Sequence, residues 1–169
     1  MKHFNLINLT RVMALFVAIS LVKVTTSCKR AAEKTQEKII EKAIGDEAKV
    51  DLDDEKIVIE TDEGTFTADA NIQSWPKEIP NEVPEFKNGK IVMVNTQNME
   101  DGKSWVIIFE DVSPDEPAKY KENLESNGFK INFTTTAGTG THFAAEKDNI
   151  TVMLMGDEDG ASVTVGIQD

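Results

Sequence analysis

Residues 12–22 (VMALFVAISLV) form an apolar run that Arg11 and Lys23 close on either side. As a helix it would cover about 16 Å, roughly half of a hydrocarbon core, so it is too short to span a bilayer. Lys2 and Arg11 precede it and the small residues Thr25, Thr26 and Ser27 follow. That arrangement reads as a secretion signal over residues 1–27; the alternative is an uncleaved signal anchor. The pattern then turns helical. In 29–44 (KRAAEKTQEKIIEKAI) Lys, Glu and Ala dominate, Ile39, Ile40, Ala43 and Ile44 make a narrow apolar stripe, and Gly45 can end the helix. Residues 28–47 are therefore expected to form a charged helix or stalk.

From residue 48 the period changes to two. Val50 pairs in parity with Leu52 and Ile57 with Ile59, and Phe66 follows; acidic breaks at 53–55 and 62–64 are turn chemistry. A three-strand meander is expected over 48–70. Residues 71–89 carry Pro76, Pro80 and Pro84 at a spacing of four, which forbids a helix or a central strand. They predict an extended connector, pinned to the core by Trp75, Ile79, Val83 and Phe86.

Residues 90–169 are expected to form a ββαββββ core. Its strands are placed at 91–94, 105–109, 129–135, 142–147, 150–155 and 162–167, with Gly138-Thr139-Gly140 as a hairpin turn. The helix should open with Ser113 as N-cap, Pro114 in first position and Glu116 closing a capping box, or else begin at Pro117. Tyr120 and Leu124 would face inward, and Asn127-Gly128 would end it. The fold class expected is α+β: a mainly antiparallel sheet with one packed helix, preceded by an N-terminal charged helix and a short β-meander, with 48–169 as a single domain. Parity adds a demand. Trp105, Ile107 and Phe109 share one face while Val106 and Ile108 occupy the other; Ile150, Val152 and Leu154 likewise oppose Met153 and Met155. A sheet apolar on both faces needs two covers.

Charge narrows the function. The chain has 18 Lys and Arg against 30 Asp and Glu, a net charge of −12. Removal of residues 1–27 takes away Lys2, Arg11 and Lys23 and no acid, which leaves 15 bases against 30 acids. Such a surface repels phosphate backbones, so nucleic acid is excluded as a partner. The single cysteine, Cys28, directly follows the signal, where a lipoprotein carries its acylated residue. V-T-T-S-C (24–28) resembles a lipobox at Ser27 and departs from it at Thr25, where Leu is usual. Acylation at Cys28 would hold the protein at a membrane, each buried methylene contributing about 0.8 kcal/mol. The alternative is ordinary cleavage that leaves a plain thiol.

The anchor Cys, the Lys/Glu-rich helix, the acidic hairpins, W-P…I-P…V-P-x-F (75–86) and S-P-x-E…Y…L…G-F (113–129) resemble a group of small, uncharacterised bacterial lipoproteins. The resemblance implies an envelope location and an anchored α+β domain. No activity comes with it, and no functional residue beyond Cys28.

Little in the remainder points to chemistry. After the signal the only imidazole is His142 and the only thiol Cys28, so a zinc or copper cluster of ordinary composition is impossible. Calcium candidates are Asp51, Asp53 and Glu55, with Asp157 and Asp159 in a second acidic turn. Counted from Asp51, however, an EF-hand would need Gly at Lys56 and Glu at Asp62. No G-x-S-x-G elbow surrounds any serine, and Asp115 and Glu116 suit a helix N-terminus better than a carboxylate pair with Glu110. The remaining candidate is a binding face of Trp75, Val106, Ile108, Met153 and Met155, able to take a peptide or lipid because methionines repack readily. Core packing beneath the connector is its plain alternative. The expected protein is a lipid-anchored envelope domain that binds or scaffolds, needs no cofactor and does not catalyse. A ligand- or calcium-binding module, or a carboxylate-dependent hydrolase, would be the rivals.

Overall fold

The computed structural model describes residues 34, 37, 38, 40, 41, 48–53, 55–138, 140–157 and 160–169. The signal peptide, Cys28 and Asp159 lie outside them, as does most of 29–44. Two-residue turns and alternating side chains produce nine strands: β1 Lys49–Asp53, β2 Lys56–Thr61, β3 Gly64–Asp69, β4 Lys90–Met99, β5 Gly102–Glu110, β6 Lys130–Ala137, β7 Gly140–Lys147, β8 Ile150–Gly156 and β9 Gly160–Gln168. One helix, α1 Glu116–Ser126, joins β5 to β6. All neighbours are antiparallel, in the order β1-β2-β3-β4-β5-β9-β8-β7-β6. Two meanders, β1–β5 and β6–β9, thus meet along β5 and β9, and α1 makes the one crossover from the middle of the sheet to its far edge.

This overturns the expected α+β class. The meander does not precede the sheet; it is part of it, because β3 pairs with β4 over six residues, from Gly64 opposite Met99 to Asp69 opposite Val94. The described chain is mostly strand, with a single short helix. No N-terminal charged helix belongs to the described fold, although Lys34, Glu37, Lys38, Ile40 and Glu41 have helical backbone. Alternation marks a strand but not its neighbour, and the twenty residues between β3 and β4 concealed their pairing.

The apolar side of the sheet changes face between β3 and β4. Across β4 to β9 the row Val94, Ile107, Val163, Leu154 and Phe143 is buried on one face, with Trp105, Val165 and Val152 beside it. In β1 to β3 that same face carries Asp53, Lys56 and Asp69, while the buried Val50 and Ile59 point to the other.

The connector and α1 cover the first face. Ile79 N–H donates to the Pro76 carbonyl and Val83 N–H to the Pro80 carbonyl, at 3.2 and 2.9 Å. The proline spacing therefore builds two successive turns, each ending in a buried residue, in place of the extended run expected. Pro fixes the opening φ of each turn, and the residue three places on is delivered to the core. Phe86 completes the layer, its ring 4.8 Å from Phe109 and 5.2 Å from Tyr120. At eleven residues α1 is too short to persist alone. Burial of Tyr120, Leu124 and Pro117 holds it on the sheet. Its start falls one residue before Pro117, the later of the two starts expected, and not at a Ser113 cap. Asp115 is the N-cap residue but its side chain makes no capping bond to the helix backbone, and the buried Glu116 carboxylate accepts from Asn88 Nδ2 at 2.8 Å, tying the helix to the connector instead of closing a capping box.

Candidate functional site

The face of β4–β9 turned away from α1 has no second layer among the described residues. Strand register sets its surface. Phe133, Ala144, Met153, Thr164 and Val106 form one row across β6, β7, β8, β9 and β5. Thr135, His142, Met155, Ser162 and Ile108 form the next. Phe133, Met153 and Met155 are 55, 49 and 53% exposed, high values for side chains of this size. Val106 and Ile108 are half-buried between them and the sheet centre. Four of the five residues of the expected binding face are thus brought together, and the fifth is not. Trp75 lies on the opposite face, packed against the main core.

Trp75 belongs to a shallow groove of about 280 Å³ lined also by Ile72, Pro76, Val94, Thr96 and Trp105. Its floor is closed: Trp105 is 2% exposed, and Lys103 Nζ sits 5.1 Å from the centre of its ring while pairing with Glu78. The groove is connector packing with an open rim.

Alternation alone missed Phe133. Counting by twos along 129–135 puts Phe129, Ile131 and Phe133 on one side. A bulge between Ile131 and Phe133 adds a residue, so Ile131 faces Ala145 inside while Phe133 faces Ala144 on the open side. A similar bulge between Ile91 and Met93 keeps Ile91 and Val94 both inside.

The acidic candidates are dispersed. Asp51 and Asp53 are exposed on β1, Asp53 opposite Lys56, and Glu55 occupies the following turn. Asp157 closes its own turn: its carboxylate accepts from Gly160 N–H at 3.2 Å and its N–H donates to the Gly160 carbonyl. Among the described residues no three His, Cys, Asp or Glu side chains gather into a metal-sized cluster. His142 stands on the open face directly opposite Met155. Near the start of α1, the Lys119 ammonium and the Ser113 hydroxyl hold the Asp115 carboxyl below the usual range, and Asp115 in turn raises Lys119. Among the described residues no helix is long and apolar enough to cross a membrane.

Compared with protein-family models, with curated proteins and with solved structures, the chain matches none.

Proposed function

We propose that this chain is an exported envelope lipoprotein, anchored through Cys28, whose sheet domain acts by binding a protein or peptide partner and not by catalysis. The observation that carries the binding reading is the open sheet face, where Phe133, Met153 and Met155 stay about half exposed. Large apolar side chains held together in water mark interaction surfaces, and methionine adapts to varied contacts. The anchor rests on the sequence: the short apolar run, the small residues after it, and Cys28 at the cleavage point. An acidic domain on such a tether stays off an anionic bilayer while remaining near it.

Two measurements test this reading. Intact mass of the mature N-terminus should show a chain beginning at Cys28 with lipid added, lost together with membrane retention in Cys28→Ala. A photo-crosslinking residue in place of Met155 should form adducts with an envelope protein in intact cells. The same residue in place of Lys87, on the connector side, should not. A bare N-terminus would remove the anchor; failure to crosslink from Met155 would remove the binding face.

A further inference from the structure

We infer that His142, Met153 and Met155 form a site for a soft monovalent metal ion, Cu(I) or its analogue Ag(I), held by one imidazole and two thioethers. The site shares the open face with the proposed partner but needs neither that partner nor the anchor. Methionine placement is the first observation. Of the six methionines in the chain, Met1 and Met13 precede residue 28. The other four, Met93, Met99, Met153 and Met155, all have the parity of the open face. The one imidazole after residue 27 stands on that face as well. Met93, Ile108, Ser162, Met155 and His142 make a single row across β4, β5, β9, β8 and β7.

Register brings three of these donors together. His142 is directly opposite Met155, and Met153 follows two residues away on the same side of β8. Directly opposed positions hold their Cβ atoms about 4.5–5.5 Å apart, and diagonal ones about 7–8 Å. Side chains as long as methionine and histidine close such gaps around one ion by choice of rotamer. Behind them Phe143, Val152 and Leu154 are buried in the main core, which fixes the direction the donors face. Met153 and Met155 remain accessible to an ion from solvent.

Donor chemistry selects the ion. Thioether sulfur is soft, neutral and polarisable, and with imidazole it favours Cu(I) over calcium or magnesium. The two open-face rows around the site contain no carboxylate, so an oxygen-seeking ion finds no charged donor there. A site of this kind differs from the His and Cys clusters that the composition excludes, since it uses no thiol and a single imidazole. The net charge of −12 draws cations to the chain in general, and the thioethers decide which kind is kept.

The test is methyl NMR of the full chain carrying Cys28→Ala, labelled at the methionine methyls and titrated with silver nitrate in chloride-free buffer. The Cys28→Ala change removes the competing thiol. The Met153 and Met155 methyls and the His142 ring should shift together and saturate at one silver ion per chain, while the Met99 methyl stays in place. This readout needs no altered site. Met153→Leu with Met155→Leu, and separately His142→Gln, should each weaken silver binding by about tenfold or more, with circular dichroism and melting midpoint close to the parent. Excess calcium should leave the silver complex intact. Shifts spread evenly over all the methionines, silver affinity unchanged in either variant, or displacement of silver by calcium would each overturn the inference.

Discussion

Tyr120 buries a hydroxyl that has no hydrogen-bond partner among the described residues. The side chain is 1% exposed, held between the rings of Phe86 and Phe143. Burial without a partner costs about 1–3 kcal/mol, and the same burial pushes the phenol pKa upward. Tyr120→Phe is therefore expected to stabilise the fold by about 1 kcal/mol in urea unfolding. The sign of the pH effect follows. A phenol whose pKa is raised in the folded state adds no pH dependence below its unfolded value of about 10 and lowers stability progressively above it. The advantage of Tyr120→Phe should widen as pH rises past that value, and equal slopes for parent and variant would refute the account. Asp115 behaves oppositely. Its lowered carboxyl supports the start of α1 above the ordinary carboxylate range, and that support is lost as pH falls through the folded value. By NMR titration Asp115 should titrate below an ordinary aspartate, and Lys119→Met should move it back up. At this scale the sequence was only partly legible. Tyr120 and Leu124 as inward residues could be read from spacing; the bond from Asn88 to Glu116 could not, since its partners are far apart in sequence.

The β2–β3 and β4–β5 hairpins, each with an acid-acid-glycine turn, share one device. Gly64 and Gly102 each follow two acids, with φ of +145° and +144°. At both, a Cβ would come within 2.0 Å of a carbonyl oxygen on the neighbouring strand, that of Asn98 and of Ile167. Gly102→Ala should accordingly cost more than about 2 kcal/mol, since backbone on the two central strands would have to move apart. Gly138→Ala is the control. Its φ is +62° and nothing lies within 4 Å, so only the left-handed backbone penalty of about 1 kcal/mol remains. Similar losses for the two variants in denaturant unfolding would count against close approach as the cause. The turns themselves could be read from their acids and glycines, and the strands from alternation. The two bulges could not, and one of them is what turns Phe133 outward. The proline-rich segment misled for a related reason: proline excludes helix and central strand but leaves turn and extended chain equally open.

Across the whole molecule, pairing of β3 with β4 joins residues on both sides of the connector into one sheet. Such a sheet should unfold as a unit. Native-state hydrogen exchange is expected to give β2 and β3 amides the same global opening free energy as those of β9. A separate, lower-energy opening of β1–β3 would show that the part of the sheet with its apolar side reversed is an independent unit. The sequence alone determined the alternation that makes strands, the turns between them and the helix that bridges the two meanders, because each depends on neighbours within a few residues, and the net acidic charge, which is a sum over the chain. Only the tertiary structure decided that nine strands make a single sheet, that the apolar side switches face between β3 and β4, that bulges reset the parity of Phe133, and that Trp75 lies opposite the exposed methionines. These depend on which distant strands share a hydrogen-bonded ladder, and a period of two is the same whichever neighbour a strand takes.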